Sequence, residues 1–417
     1  MQAGWRIGSI FGIPLNIDPS WLIILGFFTF ANGLDLVTEN PDWGFVAWVT
    51  GFFIALLLFV SVLLHELGHS LVARSQGIKV NSITLFLFGG IAAIDRESQT
   101  PGQAFQVAIA GPLVSLTLFA LLSILFFQIP QSSPAGVIVG NLAQINLVLG
   151  LFNLIPGLPL DGGQILKAAV WKITGDRFRG VHWAARTGQI LGWLAIIAGI
   201  FFAFTTEEFG FFWIALIGWF VLRNATAYDS MTNLQETLLQ LTAADAMTRE
   251  FRVIDANTIL RQFADDYLLA AKEAEVYFAA SDGRYRGLVL AEDLRSVERS
   301  LWETQTVHTI AKPLDQIDTV AENSSLVETI NKLETKQLRR ITVLSPAGAV
   351  AGIIDRGDIV KAIATALKFS IPEAQIKRIK QEGSYPGGFP IPAIAKAAAE
   401  VQQQQTPSEL TSTSKSE

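Results

Sequence analysis

Residues 65–69 read His65-Glu66-Leu67-Gly68-His69 and close the apolar run from Trp48 to Leu64. That run is by itself long enough to cross a bilayer. On a helix, residues four apart lie one turn above one another on a single face. Two imidazoles so placed reach one Zn²⁺ at its ~2.0–2.1 Å bond length, and the Glu between them stands beside the metal's open position. The chain has four histidines, and the other two are His182 and His308. The competing reading is a chance pattern on a core helix. The setting argues against it, because a Glu and two His at the edge of hydrocarbon are costly to place and mark a functional site by default.

The rest of the composition agrees with a membrane chain. Half of the 417 residues are hydrophobic and the mean hydropathy is +0.39, ordinary for a membrane protein and unusual for a soluble one. A net charge of −6 gives no reason to expect nucleic acid as a partner. With no cysteine, disulfides, Cys-type zinc sites and Cys nucleophiles are excluded together, leaving His and carboxylate as metal ligands. The N-terminus has one Arg (Arg6) and no clear cleavage site, and reads as retained.

Apolar runs of spanning length dominate up to about residue 226; beyond it charges are frequent and no such run recurs. Six spans are predicted, at about 15–34, 46–72, 103–128, 136–157, 188–206 and 209–223. With six spans, every Lys and Arg of this part falls on one side: Arg6, Arg74, Lys79, Arg96, Lys167, Lys172, Arg177, Arg179, Arg186 and Arg223. The opposite loops carry Asp35, Glu39, Asp42, Glu207 and Glu208 instead. The positive-inside rule then places both termini in the cytoplasm, and His65 within the membrane toward that side.

Between spans two and three, Lys79 to Ala92 alternates in polarity and is rich in β-branched and aromatic residues. It reads as a short strand element with a turn at Gly89-Gly90, or as a plain connecting loop. A strand there would offer an open edge to an unwound substrate. In the third span, Ala110-Gly111-Pro112-Leu113-Val114-Ser115 permits close helix packing.

The fourth span ends in Asn153-Leu154-Ile155-Pro156-Gly157-Leu158-Pro159-Leu160-Asp161-Gly162-Gly163, which cannot continue as a regular helix. One reading is a polar turn at a helix exit. The other is broken backbone lining a cavity, the condition under which such backbone survives at membrane depth. Zinc hydrolase sites commonly combine two His, one carboxylate and water. His65 and His69 lack a third ligand, and Asp161 is the acidic residue at the right depth on a distorted segment.

Beyond residue 226, Ile254–Val297 and Thr319–Ile363 repeat one order of elements: strand, helix, strand, strand, helix. Gly287 and Gly352, like Asp293 and Asp358, are offset by 65 residues. Two copies of a small α/β unit are expected, followed by a disordered tail over 370–417.

The two membrane motifs resemble the site-2 protease family of intramembrane zinc metalloproteases. The resemblance covers residues 1 to about 226 and rests on His65–His69 and on Asn153 through Gly163, similar to that family's Asn-x-x-Pro…Leu-Asp-Gly signature. Where the family often has a His near the first span, this chain has Asn16-Ile17-Asp18. The later repeat resembles a pair of CBS domains, at 243–300 and 308–365.

The expected fold is therefore an α-helical polytopic membrane domain, 1–226, followed by a soluble α/β tandem CBS module. The expected ligands of one Zn²⁺ per chain are His65, His69 and Asp161. Glu66 is expected as the proton acceptor and Asn153 as a donor to the developing oxyanion. The resemblance implies substrates that are transmembrane segments of single-pass regulatory proteins, within a lipid bilayer, the prokaryotic plasma membrane. It also implies Asp293 and Asp358 as ribose contacts of an adenine nucleotide, or a CBS pair that serves as a dimerisation module. Leu290 and Asp355 stand where nucleotide-binding CBS domains carry Thr or Ser, and an Asp repels phosphate. The competing class is a transporter or channel gated by the CBS pair. Against it, the intramembrane ionisable groups cluster at one level and no inverted repeat is evident.

Overall fold

A computed structural model of the chain describes residues 4–86, 89–269, 276–386 and 390–405. Two units divide at Thr232/Asn233, a few residues past the expected 226. The helix that contains this point runs through it unbroken.

In the first unit, β1 (Trp5–Ile10) and β2 (Ile13–Ile17) precede α1 (Ser20–Glu39) and α2 (Phe45–Ser75). Next come β3 (Val80–Phe86), β4 (Gly89–Ile94), α3 (Pro101–Phe126) and α4 (Pro134–Asn153). The short α5 (Asp161–Thr174), α6 (Arg177–Thr206) and α7 (Phe212–Gln240) follow. Among the described residues six helices are long and apolar enough to cross a membrane: α1 to α4, α6, and α7 with the turn before it. Their starts are set by local chemistry. Thr100 and Ser133 cap α3 and α4 by accepting from Gln103 and Gly136 N–H, with Pro101 and Pro134 following. Asp176 caps α6. Large apolar side chains such as Ile197, Phe204 and Trp213 face outward on α6 and α7, a surface suited to lipid.

Three expectations need correction. The first span is shifted from 15–34 to α1, because residues 13–17 are a strand. Pro19 and Ser20 start the helix, with Asp18 accepting from the Ser20 N–H at 2.9 Å. The sixth, predicted to end at 223, continues to Gln240 in α7. The segment after span two is more than a strand or a loop. β3 and β4 form an antiparallel hairpin, and β3 pairs in parallel with β2. The result is a four-stranded sheet, β1-β2-β3-β4. Ile13, Leu15, Val80, Ile83 and Leu85 form its buried face with Phe59 and Leu67 of α2, so the sheet is fastened to the helix that carries the two histidines.

The second unit opens with α8 (Ala243–Ala246), β5 (Phe251–Asp255) and α9 (Leu260–Phe263). Then come β6 (Val276–Ser281), β7 (Arg284–Val289) and α10 (Ala291–Arg295). After them stand β8 (Thr319–Ala321), α11 (Leu326–Thr335), β9 (Arg340–Leu344), β10 (Val350–Asp355) and α12 (Arg356–Ala366). Each three-stranded sheet pairs its first two strands in parallel and its last two antiparallel. The halves are hydrogen-bonded to one another across the expected boundary at 300/308. Thr248 N–H donates to Ile353 O in the later half, and Leu288 N–H of the earlier half donates to Lys312 O.

The expected tail over 370–417 is also corrected. Residues 373–382 and 391–405 are helices α13 (Glu373–Glu382) and α14 (Ile391–Gln405). Ile379, Ile391, Ile394, Ala395 and Ala398 join the same buried core as Leu326, Ile330 and Ile359. The apolar positions of α14 follow helical spacing, which the surrounding Ala- and Gln-rich composition hides. Residues 406–417 lie outside the described residues.

Candidate metal centre

α2 presents His65 and His69 on one face, both buried at 4% and 8% exposure. Each ring is held from behind by α3. His65 Nδ1 is hydrogen-bonded with Ser115 Oγ at 2.9 Å, and His69 Nδ1–H donates to the Val107 carbonyl at 2.7 Å. In the tautomer with both Nδ1 atoms protonated, the two Nε2 lone pairs point away from α3. There they meet Asp161 Oδ2, at 3.0 Å from His65 Nε2 and 3.2 Å from His69 Nε2, while the two Nε2 atoms are 3.3 Å apart.

In that tautomer all three atoms are acceptors, an arrangement that a cation held among them stabilises. Ligands at ~2.0–2.1 Å in tetrahedral array stand roughly 3.3–3.4 Å apart, within about 0.4 Å of every edge of this triangle. Among the described residues it is the one group of His and carboxylate atoms converging in this way. These residues fit zinc.

The backbone explains how two distant segments meet. Gly68 lies against α3: a Cβ there would be 3.0 Å from Ala110 O. Gly111 lies under the imidazoles, and its Cβ would be 2.2 Å from His69 Nε2. Residues 154–160 fold tightly before α5, with Gly162 and Gly163 against the Leu154 and Leu158 backbones. Leu158 N–H donates to Ala184 O of α6. That docking delivers Asp161, the first residue of α5.

Glu66, half-buried, lies outside the triangle but next to it. Its side chain packs on β4, where a Cβ on Gly90 would lie 2.6 Å from Glu66 Cγ. The Ala92 main chain, His69 and Asp161 are its polar neighbours. β4 is an edge strand, bonded to β3 alone among the described strands. Asn153 stays outside the triangle, and its amide donates to Leu149 O of its own helix at 3.0 Å.

From the sequence Gly111 and Ser115 read as packing residues, and Val107 was not singled out. Ser115 and the Val107 carbonyl orient the rings, and Gly111 makes room for them. The Ala110–Ser115 stretch reads only as packing because its partners lie 40 or more residues away.

In the second unit the capping carboxylates are engaged. Asp358, 4% exposed, accepts from Asp355 N–H and pairs with Lys380 of α13 at 2.7 Å. Asp293 accepts from Leu290 N–H and pairs with Lys312 at 2.9 Å.

Comparison with known proteins places these features. Residues 53–137 and 128–195 match Peptidase family M50, and residues 309–365 match the CBS domain. A Synechocystis protein named as a zinc metalloprotease is 44% identical over 367 residues, spanning 88% of this chain and 97% of its own length. A Mycobacterium tuberculosis protein of the same designation is 33% identical over 367 residues, 87% of this chain and 93% of its own. A solved site-2 protease from Methanocaldococcus jannaschii is 30% identical, covers 54% of this chain and 95% of its own, and superposes with a TM-score of 0.39. With six membrane-length helices, a His-His-Asp group fitted to zinc and full-length relatives named for this activity, the chain belongs to peptidase family M50, the site-2 protease family, and is a multi-pass membrane zinc metalloprotease carrying a CBS domain.

Proposed function

We propose that the enzyme hydrolyses a peptide bond within, or just inside, the transmembrane segment of a single-pass regulatory protein. His65, His69 and Asp161 are the zinc ligands in this reading, and Glu66 is the general base. The observation that carries it is the triangle of His65 Nε2, His69 Nε2 and Asp161 Oδ2, whose edges of 3.0, 3.2 and 3.3 Å suit one tetrahedral ion. Zinc, when bound, would lower the pKa of its water toward ~7 and polarise the scissile carbonyl.

The chain's own residues supply the rest. A helical amide is hydrogen-bonded and shielded, so the substrate must first unwind. The free edge of β4 offers main-chain partners to the extended segment and holds it beside Glu66. Glu66 takes the proton of the attacking water and returns it to the leaving amine. The second amide hydrogen of Asn153, left over from its bond to Leu149, is the donor assigned to the developing oxyanion. Such a role is worth roughly 3–4 kcal/mol.

The one-sided Lys and Arg distribution supports cytoplasmic termini, and the prokaryotic plasma membrane is carried over from the family resemblance. The CBS part is read as a regulatory or dimerisation module. Its two capping carboxylates are already occupied by Lys312 and Lys380, which favours protein docking over ribose contacts from Asp293 and Asp358. The competing transporter reading has no support among relatives named as zinc metalloproteases.

The test is Glu66→Gln in full-length protein reconstituted in liposomes. It is expected to hold one zinc by elemental analysis and to stop cleavage of a co-reconstituted transmembrane substrate, which is then trapped and identified by mass spectrometry. Cleavage at the wild-type rate would remove Glu66 from the base role.

A further inference from the structure

We infer that Glu97, in the connection between β4 and α3, is a positioning residue that sets where α5 holds Asp161. Glu97 Oε2 accepts from Lys167 Nζ at 2.6 Å and from Arg177 Nη2 at 2.9 Å. Lys167 is on α5 and Arg177 is the first residue of α6. The two cations are nearly enclosed, with side chains 8% and 12% exposed, whereas Glu97 approaches from the open side at 57%. Among the described residues no other carboxylate pairs with either cation.

The position of this carboxylate gives it reach. Lys167 lies six residues after Asp161, roughly 9 Å along α5 at 1.5 Å per residue. A pull on the ammonium is therefore a pull on the helix whose first residue is the third ligand. Glu97 stands three residues after β4, whose Gly90 and Ala92 border Glu66. It stands three residues before Thr100, the cap of α3, which carries Ser115 and Val107 behind the imidazoles. One oxygen thus joins the element that holds the His pair to the element that brings the Asp. α5 and α6 are also in backbone contact here, since a Cβ on Gly180 would lie 2.5 Å from Lys167 O. Without Glu97, two enclosed like charges would repel one another across the α5–α6 contact.

The inference rests on the ligand set proposed above, and the experiment separates the two. Zinc loss to excess chelator is followed by elemental analysis in the full chain in lipid nanodiscs, beside helix content and melting of the metal-free protein. Glu97→Gln is expected to speed zinc loss by about 3–10-fold, below the range for partners bonded directly to a ligand because it acts through α5. Glu97→Asp, which keeps the charge, is expected to fall between it and wild type. In an Asp161→Asn background Glu97→Gln is expected to add nothing, because its target is gone. A Glu97→Gln protein that melts earlier but releases zinc at the wild-type rate would overturn the inference, as would full additivity with Asp161→Asn. If Glu97→Gln does not fold, wild-type zinc loss in Glu97→Asp overturns it. Wild-type protein that holds no zinc would overturn the ligand set and the inference together.

Discussion

Replacing Gly111 by Ala adds one methyl group at the floor of the metal centre. Built on the observed backbone, that carbon lies 2.2 Å from His69 Nε2 and 2.7 Å from His65 Nε2. Non-bonded carbon contacts are comfortable at about 3.5–4.0 Å, so the His69 ring must move by roughly 1 Å or more. Metal–ligand distances tolerate about ±0.2 Å. The displaced rings also lose their bonds to Val107 O and Ser115 Oγ. Zinc affinity is expected to fall by about 100-fold or more, the upper end of what lost orienting partners cost, or ~3 kcal/mol at 1.4 per tenfold.

The backbone effect has the opposite sign. Ala is a better helix former than Gly by about 0.8–1.0 kcal/mol, so α3 itself gains. The clash and the two lost hydrogen bonds act on the metal-free protein too and outweigh that gain, so the metal-free variant is expected to melt somewhat lower, while zinc titration and cleavage fail together. Gly102→Ala in the same helix is the control, since nothing lies within 4 Å of its Cβ. A Gly111→Ala protein with wild-type zinc stoichiometry and cleavage would refute the assignment of this face of α2 as the metal centre.

Ser115→Ala removes the hydroxyl that is hydrogen-bonded to His65 Nδ1, and zinc affinity measured by competition should drop about 10–100-fold with the fold intact. Ile394→Asp buries a charge in the core that α14 shares with α11 and α12. Loss of this one buried Ile alone costs ~1.5–3 kcal/mol, and limited proteolysis of the full chain should open the second unit first. Burial and the neighbouring Asp355 push Asp358 up to about 6, outweighing the pull of Lys380. Between pH ~4 and ~6 the folded state then keeps a proton that the unfolded chain has released, so second-unit stability falls as pH rises through that window, by at most about 3 kcal/mol. Hydrogen exchange of β9 and β10 amides at pH 5 and 7, corrected for intrinsic rates, should show this, and Asp358→Asn should flatten it.

The chain order alone determined what depends on residues close in sequence. The four-residue spacing of His65 and His69 places them on one face of any helix that contains them. The spanning runs follow from unbroken apolar composition, and the 65-residue offset of the Gly and Asp pairs marks the repeat. Asp161 was legible as well, because a Gly- and Pro-broken end at membrane depth needs a reason to exist.

Tertiary structure alone decided which partners close the site. β2 pairs in parallel with β3 across more than sixty residues, and nothing in the five residues Ile13–Ile17 distinguishes a strand from the start of a span. Ser115, Val107 O and Gly111 acquire meaning only where α3 crosses α2. Glu97 acquires it only where α5 and α6 meet the β4–α3 connection. α13 and α14 lie in a Gln-, Ala- and Lys-rich stretch, and a core made by α11 and α12 decides that they fold. The physical reason is the same in each case. Periodicity along the chain fixes which side chains share a face, whereas the atom across from that face comes from a segment whose approach depends on packing between backbones.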